Sequence, residues 1–333
     1  MNKLKTVGIS ALAGTLASFS VAQAGDVSVS GAAVLSYTSL DNTEVTGNPY
    51  GMHKGFTLSY AGELDNGYTW SGFVAYADGT AGLQALTSAG TSINMDTMGT
   101  LSLHQGVGSA LSAIDNVVPT AWEEADDGMD TGIIDVGSVN SGSLFHWTKS
   151  LDALPGGSIS AAYNAQVGGG YPADGATGGG GTGTNGNGWD VAIKATPIDG
   201  LTVGAGYGEV EQIHSEGNID EQTIYATYAV GALTVGVQIS EEDTGNSTGT
   251  VGYNNEFVGV TYQINDDLSV GFQAADNEHD KTGTDVTSEF RGWSAAYSMG
   301  ALGVKFKRNE GRDINGTAAT DDTSTEVSVS LAF

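Results

Sequence analysis

The 333-residue chain has no cysteine. That absence removes disulfides, thiolate metal sites and thiol nucleophiles together. Basic side chains are scarce, with eleven Lys and Arg against 39 Asp and Glu. Phosphate binding needs clustered Lys and Arg, so the balance argues against nucleic acid as a partner. Charge of either sign amounts to 15% of residues, too little for an ordinary soluble surface. Beyond residue 24 no stretch approaches the roughly 20 apolar residues of a spanning helix. That excludes a helical membrane protein but leaves β-barrels, whose strands hide alternating apolarity in a neutral average. Catalytic signatures are missing as well: there is no G-x-S-x-G, H-E-x-x-H or P-loop, and the five histidines show no ligand spacing. The chain does not read as an enzyme.

What is present begins with an export signal. Lys3 and Lys5 precede an apolar stretch from Leu4 to Ala22, and Ala22-Gln23-Ala24 has the small-x-small form of a cleavage site. Residues 1–24 are therefore expected to be removed, leaving a single domain over 25–333. The signal holds two of the eleven bases, so nine remain against 39 acids.

The remainder is organised by a two-residue beat. It is clearest at the C-terminus, where Val327, Val329, Leu331 and Phe333 share one strand face and Ser328, Ser330 and Ala332 the other. Apolar outward and polar inward suits lipid on one side and water on the other. Sixteen such segments are expected: 26–39, 54–64, 68–78, 91–96, 100–105, 142–149, 158–166, 188–196, 201–208, 221–230, 233–240, 253–264, 268–275, 286–298, 302–309 and 324–333. Short turns alternate with longer polar connections; Asn66-Gly67 and Pro197-Ile198-Asp199-Gly200 are turns by composition. The Gly-rich stretch from Val167 to Asn187 is one long connection. Tyr68, Trp70, Trp147, Trp189, Tyr228, Tyr262, Tyr297 and Phe333 fall near strand ends, where aromatic rings mark membrane interfaces. Short turns on one side, long loops on the other and an even strand count predict a closed antiparallel transmembrane β-barrel. Its last strand pairs with its first, between Val27 and Tyr37, which removes the edges a bilayer does not tolerate.

The connection from Gly106 to Ser141 stands apart as too long and too polar for another strand pair. Glu123, Glu124, Asp126, Asp127 and Asp130 crowd its centre, Asp115 and Asp135 flank them, and no Lys or Arg occurs between Lys54 and Lys149. Long structureless connections are usually functional. The chain resembles the trimeric porins of alphaproteobacteria, especially the short porins of marine members. The resemblance is carried by the Gly25-Asp26-Val27-Ser28-Val29-Ser30-Gly31 start, the Asn66-Gly67 hairpin, the Pro119-Thr120-Ala121-Trp122-Glu123-Glu124 loop and the terminal Phe333. It implies that the third long connection folds into the barrel and that its seven acids form a constriction, with basic residues on the facing wall. Parity places Lys194, Lys305, Lys307 and His104 toward the interior. The resemblance also implies a homotrimer in the outer membrane of a Gram-negative bacterium, among lipid and lipopolysaccharide, with Phe333 read by the barrel-assembly machinery.

The expected activity is passive diffusion of small hydrophilic solutes and ions. Pore width would limit size, and fixed acids would give a mild cation preference. No cofactor is needed. Alternatives stand beside each reading. The acidic run is also compatible with a solvated outer loop, or with Ca²⁺ held by carboxylates, although EF-hand spacing is absent. Lys305-Phe306-Lys307-Arg308 also suits a strand end meeting anionic lipid heads. A substrate-specific channel, a non-conducting structural or adhesive barrel and a secreted soluble β-protein are the rival functions.

Overall fold

A computed structural model of the chain describes residues 25–40, 48–78, 84–140, 142–174, 185–213 and 217–333. The expected signal at 1–24, the middle of the Gly-rich connection and His214 lie outside the described residues. The fold is a closed antiparallel barrel in which each strand pairs with its sequence neighbours. The strands are β1 (Asp26–Ser39), β2 (Tyr50–Glu63), β3 (Thr69–Asp78), β4 (Gln84–Asn94), β5 (Thr100–Gln105), β6 (Ser143–Leu151), β7 (Gly157–Asn164) and β8 (Asn185–Ile198). They continue with β9 (Leu201–Gln212), β10 (Ile219–Val230), β11 (Leu233–Asp243), β12 (Thr250–Asn265), β13 (Leu268–Lys281), β14 (Val286–Met299), β15 (Leu302–Arg312) and β16 (Asp322–Ala332).

Closure is made by β1 and β16, in register from Ala32–Ala332 to Ser39–Thr325. Gly31 and Phe333 extend the seam by exchanging two backbone hydrogen bonds of 3.1 and 3.0 Å. The first residues of β1, below this point, pair only with β2.

Alternation assigns the two faces. Leu35, Ile224, Val237, Ile239, Val258 and Trp293 point outward and are exposed, while their neighbours Thr223, Gln238, Ser240, Phe257 and Ser294 point inward and are buried. Outward aromatics form girdles at both ends of the wall. Tyr60–Trp70 stand toward the turns, with ring centres 5.8 Å apart, and Trp189–Tyr207 toward the loops, at 5.6 Å. Trp147 anchors its girdle by donating from Nε1 to the Met98 carbonyl at 2.9 Å.

Two departures from the expected boundaries have physical causes. Strand β4 begins at Gln84, seven residues before the expected Thr91, because a bulge pairs Ala75 with Ser88 but Tyr76 with Leu86. The skipped residue breaks the two-residue beat from which the segment was read. Strands β9 to β13 and β15 run past their expected ends toward the loops. There the outward face turns from apolar to acidic, with Glu209 opposite Trp189, Asp220 opposite Asp243, and Asp276 opposite Glu256. Hydrogen bonding between strands continues above the apolar belt although the apolar alternation stops.

Candidate functional site

The interior is asymmetric. Inward positions on β1 and β2 carry mainly small or hydroxyl side chains, among them Ser28, Ser30, Ser36, Thr57 and Ser59. Those on β8 and β10 to β16 include buried polar and charged groups: Asp190, Glu221, Gln238, Asn255, Gln273, Asn309 and Asp322. Unsatisfied buried groups of this kind are costly, so their partners are informative.

Their partners are backbone groups of the long connection, between residues 110 and 139. The Asp190 carboxylate accepts from the Ala110 and Leu111 N–H groups at 3.2 and 3.1 Å. Gln238 accepts from Val117 N–H at 2.9 Å and donates to the Ile114 carbonyl at 2.8 Å. Gln273 accepts from Ala125 N–H, and Asp322 from Asp130 N–H at 2.7 Å. Asn309 donates to the Glu124 and Asp127 carbonyls at 2.8 and 2.9 Å. Glu221 accepts from Ser138 N–H, and Asn164 donates to the Val139 carbonyl. The segment thus lies along the inner face from β7 to β16.

Apolar packing fills the space between segment and wall. Val118 and Ala125 pack with Phe257, Ala275, Phe290 and Ile314, and Met129 and Ile133 flank them. Ala110, Leu111, Ile114 and Val136 pack with Leu144, Ala162, Ala192 and Tyr225. Close approach is possible because the inward positions under Val118 to Ala125 include the glycines Gly236, Gly259, Gly271 and Gly292. A Cβ at Gly259 would stand 2.5 Å from the Pro119 carbonyl oxygen.

The seven acids of the segment divide by environment. Glu123, Glu124, Asp127 and Asp130 are exposed, while Asp115, Asp126 and Asp135 are partly buried. Asp126 is engaged within the segment, accepting from Ile133 N–H at 2.8 Å. Asp135 accepts from Ser240 Oγ and from Val136 N–H, each at 2.7 Å. Burial pushes Asp135 up to about 7, with repulsion from Asp115 and Glu124 adding to it. Glu124, although its side chain reaches solvent, is likewise pushed up to about 7, first by partial loss of solvation and then by repulsion from Asp126 and Asp115. Asp115 is also raised, chiefly by burial. Among the described residues no group of three or more His, Cys, Asp or Glu side chains converges as a metal site.

The expected basic positions do not form one facing wall. Lys305 and Lys307 stand beneath the segment on β15, their ammonium groups 5.8 and 5.4 Å from the Trp122 ring centre. Lys307 is buried, forms an ion pair with Asp127 and lies 3.4 Å from Glu326. The reason is local: an acid carried in by the segment and one from β16 meet over this lysine. Lys194 is exposed at an inward position opposite Gly204, toward the turn end of β8. His104 sits beside a residue that spacing in the sequence did not join to it. His146 follows 42 positions later, yet the two rings are 5.5 Å apart. Inward Lys281, which donates to the Gly316 carbonyl at 2.6 Å, is a further interior base that the parity reading passed over. The anchors Asp190, Glu221 and Asp322 were also passed over; their signal is a charged residue at an inward position within an otherwise small-residue strand.

A sixteen-stranded barrel with an apolar, aromatic-girdled exterior and a polar interior crossed by its third long connection defines the class of outer-membrane channels. The sequence matches the Gram-negative porin family over residues 8–288, and the chain belongs to that family. It is an outer-membrane channel protein for passive diffusion. No curated protein sequence matches the chain. Among solved structures it is similar to a loop-deletion mutant of OmpT, an outer-membrane protein of Vibrio cholerae. That likeness has 15% identity and TM-score 0.67, covering 93% of this chain and all of that one. A mutant of the Rh. blastica porin matches at 16% identity and TM-score 0.63, covering 92% of this chain and all of that one. An anion-selective porin from Comamonas acidovorans matches at 13% identity and TM-score 0.66, covering 93% of this chain and all of that one.

Proposed function

We propose that the barrel is a general diffusion channel with a mild preference for cations, narrowed by residues 106–141. The observation that carries this reading is the run of hydrogen bonds tying that acidic segment to inward side chains. The exposed carboxylates Glu123, Glu124, Asp127 and Asp130 then border the remaining opening. Asp115, Asp126 and Asp135 set the segment's shape and add to its field. Fixed charge at a narrow opening favours counter-ions and repels co-ions. Lys307 is neutralised by its acid partners and Lys194 stands away from the segment, which leaves Lys305 beside Trp122 as one base among the segment's acids, so the acids dominate the local field. The mechanism needs no cofactor: width limits size and charge biases sign.

Family membership supports three further assignments. The chain is exported by a signal cleaved after Ala24. It assembles as a homotrimer in contact with outer-membrane lipid and lipopolysaccharide, with strands near the termini buried between subunits. Phe333 serves as part of the signal read by the assembly machinery. The deciding experiment for the constriction is the double variant Glu123→Gln/Glu124→Gln in planar bilayers. Cation preference should fall, and unchanged conductance together with unchanged selectivity would place these residues away from the ion path.

A further inference from the structure

We propose that His104 and His146 form a two-imidazole site in the lumen wall for a divalent transition-metal ion of the Zn²⁺, Ni²⁺ or Cu²⁺ type. The proposal rests on the channel reading only in that the interior must admit the ion. His104 lies opposite Leu144 and His146 opposite Ser102, so the histidines are diagonal neighbours on the inner faces of β5 and β6. Their ring centres are 5.5 Å apart with planes inclined at 30°. An imidazole nitrogen binds zinc at about 2.0–2.1 Å, which sets each ring centre roughly 3.2 Å from the ion, and a tetrahedral angle then separates the centres by about 5 Å. The observed spacing fits a shared ion with little adjustment.

The state of the nitrogens supports the same site. His104 Nδ1 and His146 Nε2 are shielded from solvent and have no hydrogen-bond partner. Buried polar atoms are ordinarily satisfied, and each orphan deserves a cause. A lone pair on each ring offered to one cation satisfies both at once. Three of the four paired positions around the rings are small, Gly90, Ser102 and Ala162, and the fourth is Leu144. At Gly90 a Cβ would come within 2.9 Å of His104 Cδ2 and 2.8 Å of Phe73 Cε1. Imidazole selects zinc, nickel and copper over calcium or magnesium, which prefer carboxylate and carbonyl oxygen. Both nitrogens are closed to water in the ion-free arrangement, so binding includes a rotation of the imidazoles that admits lumen water to the remaining positions.

The site stands at the root of the acidic segment. Leu144 and Ala162, the pairing partners of His104 and His146, pack against Ala110 and Leu111. A bound dication there would add positive charge beside the proposed constriction and reduce cation current.

Titration calorimetry of the detergent-solubilised, full-length assembled protein with ZnCl₂ and NiCl₂ tests the site. One ion per chain is expected, with affinity falling roughly tenfold or more in His104→Gln or His146→Gln. His53→Gln should bind as wild type, and CaCl₂ should not compete. Because a substituted barrel can misfold, Cu²⁺ electron paramagnetic resonance of the wild-type protein supplies a second measurement. Coupling to two imidazole nitrogens is expected. An oxygen-only spectrum overturns the proposal, as do undiminished binding in the histidine variants or loss of binding in Glu123→Gln/Glu124→Gln alone. A barrel that binds zinc but passes no current keeps the site and loses the channel reading. One that conducts but binds no zinc does the reverse.

Discussion

Single carboxylates fix the segment from both sides. On the wall, Asp190 holds the Ala110 and Leu111 N–H groups in place, and on the segment Glu124 and Asp135 are the acids whose surroundings push them up to about 7. Replacing Asp190 with Ala leaves two N–H groups without their charged acceptor. The local cost is about 2 kcal/mol, read as roughly a thirtyfold loss of amide exchange protection at Ala110 and Leu111. Undiminished protection would show that apolar packing alone holds the segment. Ionisation gives a second outcome. Glu124 and Asp135 are pushed up to about 7, so each is mostly anionic above that pH and mostly neutral below it. Cation preference should therefore weaken between about pH 8 and about pH 5, a window in which an ordinary carboxylate stays charged. A pH-independent reversal potential would contradict this. The segment's acids were legible as a run of charge without neighbouring bases. Their anchors were not, because a buried inward Asp differs from a solvated one only by the partner that reaches it from far along the chain.

At the scale of elements, a regular beat was readable and interruptions were not. Strands β1 and β5 have the expected bounds, since their alternation runs unbroken to the turn or loop. The β4 bulge and the acidic ends of β9 to β13 hid real strand from the same reading. The His104–His146 pair was hidden too, because it depends on the register across a connection of more than thirty residues. The segment's seat on β11 to β14 depends on missing side chains. Gly259→Leu would drive a side chain into Pro119 and lift the segment into the lumen, lowering single-channel conductance while the barrel's circular dichroism is retained. Conductance equal to wild type would mean that the segment shifts elsewhere. Deleting Phe333 removes the two hydrogen bonds to Gly31 that end the seam. The yield of assembled protein in the outer membrane should drop, and an unchanged yield would count against its proposed role in assembly.

At the scale of the whole molecule, the barrel substitutes closure for a conventional core. Every wall strand has two neighbours, and the largest apolar clusters lie between wall and segment rather than between layers of sheet. This follows from an exterior facing lipid and an interior facing water, which leaves only the underside of the segment to bury apolar surface inside. The even strand count and the family match define a channel barrel, and the acidic surplus supports the cation preference proposed for it. Ionic current through the purified protein in a planar bilayer under a KCl gradient tests that claim most directly. Stepwise conductance with a reversal potential on the potassium side is the predicted result. Absence of current, or a reversal potential on the chloride side, would contradict it.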